Sequence, residues 1–422
     1  MMIRTLIHAL LIVAIVSPSA IAENWPHWRG DRGNGISMTA TPPTRWSPTE
    51  NVKWKAAIPG RGSGSPVVWN DRVFVVTAVG ESGGMTQSTK TKLRFDLLCF
   101  DRANGSLRWQ KTATRETPHE ETHSTNGFAS ASPCTDGKYV YAPFGSRGLY
   151  CYDFDGNLVW SRNDFGQMET RNSFGEGSSP VLAGNKIIVP WDHEGDSFLF
   201  ALDKLNGKTI WKTPRDEPSC WATPLVIEVG NQKQIIMNGQ NKARAYDLET
   251  GREIWSCGGQ TERPVASPVA GDGRVFIGSG HRGSFLAAFD PTGRGDVSGS
   301  KHVLWSVGRD TPDIASLLLS DGRLYFYKAK VGVLSCHDAA TGEKFYGPTR
   351  VDGLRSIYAS PVAANGFVYL SDREGTTVVI RDSDKFEIVA TNSIDETLDA
   401  TPALVDEQLF LRGERHLFCI ED

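Results

Sequence analysis

The sequence predicts an all-β fold, an eight-bladed β-propeller of four-stranded antiparallel blades, and three observations lead to this prediction. A Ser/Thr-Pro pair recurs along the chain, an eleven-residue unit ending in Trp follows several of these pairs, and the last repeat is one strand short. No segment shows sustained helical periodicity. The recurring pairs are Ser65-Pro66, Ser132-Pro133, Ser179-Pro180, Thr223-Pro224, Ser267-Pro268, Ser360-Pro361 and Thr401-Pro402, with Ser316-Leu317 as a degenerate eighth copy.

Alternating apolar residues predict the strands of each repeat. Stretches such as DRVFVV, GKYVYA and NKIIVP follow the pairs and are bounded by Gly, Asn and Asp, which is the pattern of a half-buried strand. The unit CFDRANGSLRW at 99–109 recurs as ALDKLNGKTIW at 201–211 and AYDLETGREIW at 245–255. It predicts two strands joined by an Asp/Asn-Gly turn. Each repeat therefore contains four strands, which make one blade.

Two side-chain positions recur within this unit and are predicted to be structural. The terminal Trp is expected to pack between blades, although Tyr346 replaces it in one copy and an insertion precedes it in another. An earlier position alternates between Cys and Ala, which predicts a tight, buried site. The Trp residues are Trp109, Trp160, Trp211, Trp255 and Trp305, and the cysteines are Cys99, Cys151, Cys336 and Cys419.

The two ends of the chain are predicted to close the ring together. The eighth repeat begins at Thr401 and ends at Asp422 after three strands. Residues 51–59 supply the missing fourth strand, with Trp54 at the repeat's Trp position. A shared blade leaves no exposed sheet edge at the junction. We therefore expect a single propeller domain over residues 51–422, preceded by an N-terminal extension at 23–50.

These repeats resemble the tryptophan-docking repeats of the pyrroloquinoline-quinone (PQQ) propellers, a superfamily that includes quinoprotein dehydrogenases and the BamB-like assembly proteins. The resemblance covers residues 45–422 and implies an eight-bladed propeller. The stretch WDHEGDSFLFALDKLNGKTIWKTPRDEPSCWATP is also similar to exported PQQ-like repeat proteins of planctomycete-type bacteria.

The resemblance allows PQQ as a cofactor, but its residue signatures are not found. Quinoprotein dehydrogenases carry adjacent cysteines beside the quinone, and this sequence has no Cys-Cys pair. Their calcium-binding Glu, Asn and Asp have no recognisable counterparts here. BamB-like proteins carry a lipid on a cysteine, and no Cys follows the expected cleavage site.

The first 22 residues have the layout of a secretory signal peptide. Arg4 provides a basic start, the apolar stretch at 6–16 follows, and Ala20 and Ala22 form a small-x-small cleavage site. Cleavage is predicted after Ala22, so the mature protein is expected to be periplasmic or secreted. The apolar stretch is shorter than the ~20 residues of a membrane span.

The charge of the chain excludes some partners. The formal net charge is −4, whereas nucleic-acid binding and acidic membrane surfaces require a basic footprint. We expect no nucleic-acid partner, no membrane insertion and a monomer. No phosphate-binding loop, kinase signature or nucleophile elbow is present.

The candidate ligand site lies on the loops before the first strand of each blade and between the second and third strands. These loops are longer and chemically more varied than those of the other face, which is typical of a functional face. Trp221 with Arg215 and Arg263 could stack and clamp a flat anionic ligand. The alternative is that Trp221 plugs the channel and the arginines pair with Asp216 or Glu217. The candidates are Trp221, Arg215, Glu217, Arg263, Asp192 and His193.

A second, weaker candidate is a metal site at His119 and His123. The segment His119-Glu120-Glu121-Thr122-His123 fits the zinc-protease pattern, which needs a helix. Pro118 and the following Ser-Thr-Asn-Gly indicate a loop instead. Separately, WDHEGD at 191–196 could hold a hard cation, and turn chemistry explains it equally well.

The function predicted from these observations is that of an exported, non-catalytic propeller. It would bind a protein partner or a small anionic ligand at its loop-rich face. The alternative is a PQQ-dependent or PQQ-derived oxidoreductase.

Overall fold

The computed structural model describes residues 23–81, 83–85 and 89–422 and confirms the eight-bladed, all-β prediction. The expected signal peptide at 1–22 lies outside the described residues. Eight sheets follow one another along the chain, and the strands of each blade pair antiparallel. The longest helical segments in the described part are two single 3-10 turns, Gly145–Arg147 and Arg171–Ser173. No helix among the described residues is long and apolar enough to span a bilayer.

The blade strands of the N-terminal half are two to ten residues long. The first strand is β1 (Val52–Ala57). Blade 1 contains β2 (Val67–Trp69), β3 (Arg72–Val79), β4 (Leu93–Asp101) and β5 (Leu107–Glu116). Blade 2 contains β6 (Cys134–Thr135), β7 (Tyr139–Pro143), β8 (Leu149–Asp153) and β9 (Leu158–Arg162). Blade 3 contains β10 (Val181–Ala183), β11 (Lys186–Trp191), β12 (Ser197–Asp203) and β13 (Thr209–Arg215). Blade 4 contains β14 (Leu225–Val229), β15 (Gln232–Met237), β16 (Ala243–Asp247) and β17 (Glu253–Cys257).

The C-terminal half repeats this order. Blade 5 contains β18 (Val269–Gly271), β19 (Arg274–Ser279), β20 (Phe285–Phe289) and β22 (Val303–Val307), with β21 (Gly295–Asp296) inserted before its last strand. Blade 6 contains β23 (Leu318–Ser320), β24 (Arg323–Lys328), β25 (Val333–Asp338) and β26 (Lys344–Arg350). Blade 7 contains β27 (Val362–Ala364), β28 (Phe367–Ser371), β29 (Thr376–Arg381) and β30 (Ile388–Ser393). Blade 8 contains β31 (Ala403–Val405), β32 (Gln408–Arg412) and β33 (His416–Ile420).

The outer strand of blade 8 comes from the N-terminus. Strand β1 pairs antiparallel with β33, from Val52 opposite Ile420 to Ala57 opposite His416. The backbone N–H of Ile58 donates to the carbonyl of Arg415 at 2.8 Å and extends the pairing. The first and last strands of the propeller therefore lie in one sheet.

Blade 4 departs from the four-stranded prediction. The insertion before Trp305 forms β21, which pairs in parallel with β17 and makes this sheet five-stranded. The carbonyl of Pro291 in the same insertion accepts a hydrogen bond from the buried amide of Gln234 at 3.1 Å. The insertion thus covers the outer edge of blade 4, which its sequence alone did not indicate.

Five of the Trp residues at the repeat position dock on the next blade along the ring. The indole Nε1 donates to a backbone carbonyl in the neighbour's turn between third and fourth strands, at 2.9–3.1 Å. Trp211 of blade 3 donates to Leu248 of blade 4, and its ring lies over Gly251. Gly251 has φ +70°, and a Cβ there would lie 2.6 Å from the Trp211 ring. The pairs are Trp54–Arg102, Trp109–Phe154, Trp160–Lys204, Trp211–Leu248 and Trp305–Ala339.

Trp255 and Tyr346 occupy the same repeat position but make different contacts. The insertion occupies the neighbouring turn of blade 5, so the Trp255 indole donates to the side chain of Gln234 at 3.2 Å. Its ring stacks on Phe289 at a centroid distance of 5.5 Å. Tyr346 packs against Phe386 of blade 7 instead. The repeat position is thus used for packing between or within blades in the seven copies that carry Trp or Tyr there.

Replacing Trp211 with Ala is expected to destabilise the propeller without affecting a ligand in the channel. The change removes both the indole hydrogen bond and the ring contact with Gly251, and Trp-to-Ala truncations at packed sites typically cost ~3 kcal/mol or more. Chemical denaturation of the variant and of Phe345→Ala, an exposed aromatic residue beside the same repeat position in blade 6, measures the difference. Equal stability of the two variants would contradict the docking role.

The cysteines of the repeat lie inside the blades. All seven cysteines are buried and none forms a disulfide. Burial raises the pKa of Cys99 to about 12, so its thiol stays protonated and unreactive. The burial of these cysteines agrees with the small, buried site that alternation with Ala predicted.

Candidate ligand cavity at the channel mouth

The recurring Ser/Thr of each Ser/Thr-Pro pair forms a belt around the central channel. In seven consecutive steps, the backbone N–H of one belt residue donates to the side-chain hydroxyl of the next blade's belt residue, at 2.8–3.1 Å. The chain of bonds runs from Ser65 in blade 1 to Thr401 in blade 8, and the degenerate Ser316 takes part in it. The repeated hydroxyl therefore links neighbouring blades at the axis.

A cavity of about 230 Å³ lies on this belt. All eight belt residues line it. The residue two positions earlier in each blade also lines it, because side chains two apart in extended chain point the same way. This second ring is small in blades 1 to 3 and larger in blades 4 to 8; its members are Ser63, Ser130, Gly177, Trp221, Val265, Ile314, Tyr358 and Asp399.

The N-terminal segment closes the far side of the channel. It crosses the opposite face of the ring, where Trp25 pairs with Val68 of blade 1 and Ser37 donates to Ala363 of blade 7. Between these points the Trp28 side chain lines the cavity. The adjacent Arg29 is fully buried and donates to the carbonyls of Asn34 and Leu317. Burial lowers the pKa of Arg29 to about 9. Trp28 thus forms the floor of the cavity.

Aromatic rings form one wall of the cavity. The Trp221 indole donates to the carbonyl of Gly175 at 2.6 Å, and its ring lies 6.3 Å from that of Phe174. The Arg263 guanidinium lies 5.6 Å from the Phe174 ring centre. Phe174 also contacts His123 edge-on at 5.2 Å. Trp221 is held by its hydrogen bond with its ring against the cavity.

Cationic side chains converge on the same space. Arg263 and Lys330 line the cavity. Lys330 and Arg373 each lie 5.4 Å from the Tyr358 ring centre. Burial lowers the pKa of His123, and the charges of Lys330, Arg263 and Arg373 lower it further. The cavity is therefore an electropositive environment.

One carboxylate, Asp399, occurs among the described lining residues. Its Oδ1 accepts a hydrogen bond from Arg373 Nη1 at 3.0 Å. Burial raises the pKa of Asp399 to about 6, although the charges of Arg373 and Arg61 oppose the shift. Arg263, by contrast, contacts His281 Nδ1 at 2.9 Å and lies 4.0 Å from Asp313.

Arg215 and Asp192 lie inside the protein, not at the mouth. Arg215 Nε and Nη2 donate to the two oxygens of Asp192 at 2.7 and 2.9 Å, and Nη1 donates to the Tyr246 hydroxyl at 2.6 Å. Burial alone would lower the pKa of Arg215, but the charges of Asp192 and Tyr246 raise it, so the guanidinium stays charged. The expectation that Arg215 approaches the mouth beside Arg263 is wrong, because its donors are used within blades 3 and 4.

Glu217 and His193 are also engaged in structural contacts. The Glu217 carboxylate accepts hydrogen bonds from the backbone of Asn241 and Lys242 and from the Arg244 side chain. His193 Nε2 contacts the carbonyl of Asp196 at 3.0 Å, and its Nδ1 accepts from the backbone of Glu169 and Gly195. These contacts fasten one loop to another and leave neither side chain lining the cavity.

The two histidines proposed as metal ligands take separate roles. His119 Nε2 lies 2.7 Å from the carbonyl of Met168, whereas His123 lines the channel cavity and contacts Thr125 Oγ1 at 2.8 Å. The segment that contains them is irregular, as predicted. In the described ranges, no group of three or more His, Cys, Asp or Glu side chains could hold a metal ion.

The described residues do not fit a calcium-bound PQQ centre. Asp399 is paired with Arg373, and a calcium ion would need several oxygen ligands. Cys220, beside Trp221, is buried and lies 3.4 Å from the carbonyl of Asn238, where burial raises the pKa of its thiol.

Comparison with known proteins identifies the family. A family model for outer membrane protein assembly factor BamB matches residues 93–348, which is more than half of the chain. The chain belongs to this family. No curated protein matches the sequence of this BamB-like propeller significantly.

Solved structures show the same fold as this BamB-like chain at low sequence identity. BamB from Moraxella catarrhalis has a TM-score of 0.57 and 14% identity, over 87% of this chain and 99% of that one. The quinohemoprotein alcohol dehydrogenase from Comamonas testosteroni has a TM-score of 0.62 and 12% identity, over 94% and 80%. A europium-containing methanol dehydrogenase has a TM-score of 0.62 and 9% identity, over 93% and 90%. These likenesses extend to the fold alone.

Proposed function

We propose that this BamB-like chain is an exported, non-catalytic propeller that binds a small, flat, anionic ligand in the cavity at its channel mouth. The observation that carries the proposal is the convergence of Arg263 and Lys330 with aromatic rings on a cavity whose floor is Trp28. Guanidinium and ammonium groups would bind the anionic group, and Trp221 would contact the flat part. The signal-peptide pattern supports export.

Charge and shape in the cavity favour this function over a general polar rim. Val265 and Ile314 add apolar wall between Trp221 and Tyr358, so a ligand with a ring and a charge meets both kinds of surface. Ligand sites typically combine an apolar lining with a few convergent polar groups. Seven of the eight belt hydroxyls, from Ser132 to Thr401, already accept one backbone N–H each and keep their O–H groups for donation.

Binding of 2-naphthalenesulfonate, a flat and permanently ionised probe, tests the proposal. Arg263→Ala and Lys330→Ala should each weaken binding by about tenfold, since a charged hydrogen bond contributes roughly 1.5–3 kcal/mol. Trp221→Ala should weaken it as well, and the melting temperature should change little for either cation variant. Isothermal titration calorimetry measures each dissociation constant.

Lys385→Ala is the matched control, because Lys385 is exposed in a turn of the opposite face. Equal weakening by Lys385→Ala and Arg263→Ala would show that the probe responds to overall charge only. No detectable binding to the unmodified chain would reject the proposed ligand class. Native mass spectrometry of the protein purified from its source would then show which small molecule, if any, it retains.

A protein partner at the same face is the second candidate, and membership of the BamB family favours it. A partner covering the mouth would compete with the probe, whereas one bound at the outer strands would not. Cross-linking in the native host, followed by probe titration of the captured complex, separates the two arrangements.

A further inference from the structure

Among the described residues that line the cavity, Asp399 is the one acidic side chain, and it shares the cavity with Arg263 and Lys330. We propose that Asp399 is an internal competitor for the ligand, holding Arg373 at high pH and releasing it in acid, so that the cavity binds anions more tightly as the pH falls. This inference rests on the proposed anionic ligand. It adds to that function a residue that sets its affinity and its pH dependence.

The geometry places the competitor beside the surface that a ligand would use. Asp399 and Tyr358 both line the cavity, and Arg373 contacts both of them. Lys330 lies against the same Tyr358 ring. A flat anion placed on Tyr358 would therefore lie between Lys330 and Arg373. Of these two cations, Arg373 is already paired with Asp399.

The charged groups around Asp399 come from several blades. Arg373 lies in the loop after β28, Arg61 precedes β2, Glu374 follows Arg373, and Glu414 precedes β33. The two arginines stabilise the carboxylate, while burial and the two glutamates disfavour it. The outcome is a pKa of about 6, above the ordinary value of 3.8.

Two other groups in this region titrate and must be distinguished from Asp399. Burial raises the pKa of Asp372 to about 6, but its oxygens accept the backbone N–H groups of Arg355 and Thr376 and do not line the cavity. The pKa of His123 is lowered, so its imidazole stays uncharged at neutral pH. Among the described lining groups, Asp399 is the carboxylate whose charge changes between pH 7.5 and 5.5. The Asp399→Asn variant distinguishes its titration from that of His123.

The sign of the effect follows from which form of Asp399 binds the ligand. Above pH 6 the carboxylate is ionised, pairs with Arg373 and repels an anion. Below pH 6 it is neutral and Arg373 is available. Affinity should therefore fall by up to about tenfold for each pH unit above the pKa and level off below it.

Titration with 2-naphthalenesulfonate at pH 7.5 and pH 5.5 tests the inference, because the sulfonate stays ionised at both. The unmodified chain should bind about tenfold more tightly at pH 5.5. Asp399→Asn should bind at pH 7.5 as tightly as the unmodified chain does at pH 5.5, with no further gain in acid. Asp384→Asn, which changes an exposed turn residue, should keep the full pH dependence.

The outcomes separate this inference from the proposed function. Binding that depends on Arg263 but is equal at both pH values would overturn the role of Asp399 and leave the proposed function standing. Absence of probe binding at both pH values would overturn both. If Asp399→Asn does not fold, calorimetry of the unmodified chain at pH 6.5 in buffers of different ionisation enthalpy decides the matter. Binding should take up about half a proton or more, and uptake of none would reject the competitor.

Discussion

Deletion of residues 23–60 is expected to unfold the whole propeller, not merely loosen one blade. The deletion removes β1, exposes the backbone of β33 and leaves blade 8 with three strands. It also removes Trp54, which docks on Arg102 of blade 1 and contacts Phe410 of blade 8. A domain is stable by only ~5–15 kcal/mol, and losing one docked Trp typically costs ~3–5 kcal/mol. The ring closure therefore accounts for a large share of that stability.

A shorter deletion of residues 23–50 is the matched control. It keeps β1 and the Trp54 contact but removes Trp28 and Arg29, which lie beneath the channel. This variant should stay folded with a smaller loss of melting temperature and should bind the sulfonate probe more weakly. Circular dichroism and light scattering of both variants measure folding and aggregation. A 23–60 deletion that stays monomeric with an unchanged melting temperature would contradict the role of β1 in closure.

The repeat made the fold predictable, because each copy carries its own strand and turn signals. Spacing of the Ser/Thr-Pro pairs located the blades, and the degenerate Ser316 copy still keeps the belt hydrogen bond. The strand in the blade 5 insertion could not be predicted from the sequence, because β21 is two residues long and too short to show a strand pattern. The path of residues 23–50 also has no repeat to indicate it, since its contacts come from five different blades.

The cavity was partly predictable from the phase of each strand. Trp221 lies two residues before Thr223, so it shares the orientation of that belt residue and lines the cavity. The same rule points to Tyr358 and Asp399. Arg263 also lines the cavity, but its φ of 44° lies outside the extended region, so strand phase does not account for its position. Phe174 and Lys330 come from loops without this regular phase, and sequence alone gives no reason to bring them to the axis.

Side-chain chemistry alone did not distinguish residues of buried ion pairs from residues that could bind a ligand. Asp192, Glu217 and Arg215 have side chains that could bind a ligand, but each is used to hold loops together at 0–2% side-chain exposure. A charged side chain that the sequence places near the channel mouth can instead form a buried ion pair inside the protein. Only the three-dimensional contacts distinguish the two cases.

Replacing Asp192 with Ala is expected to destabilise the protein by about 3–5 kcal/mol, because it leaves the Arg215 guanidinium buried without its carboxylate. Arg215 Nη1 would retain the Tyr246 hydroxyl, and Nε would lose its partner. The double variant Asp192→Leu/Arg215→Met removes both charges and should recover much of the loss, since no unpaired buried charge remains. Urea denaturation at pH 7 gives the three free energies of unfolding.

The same variants distinguish a structural pair from ligand-binding residues. Neither Asp192 nor Arg215 lines the cavity, so the folded double variant should bind 2-naphthalenesulfonate with unchanged affinity. Arg263→Ala should show the opposite combination, with weaker binding and near-normal stability. If Asp192→Ala kept its stability and lost the probe, Asp192 and Arg215 would belong to the ligand site, and the position of Arg215 within blades 3 and 4 would have to change when ligand binds.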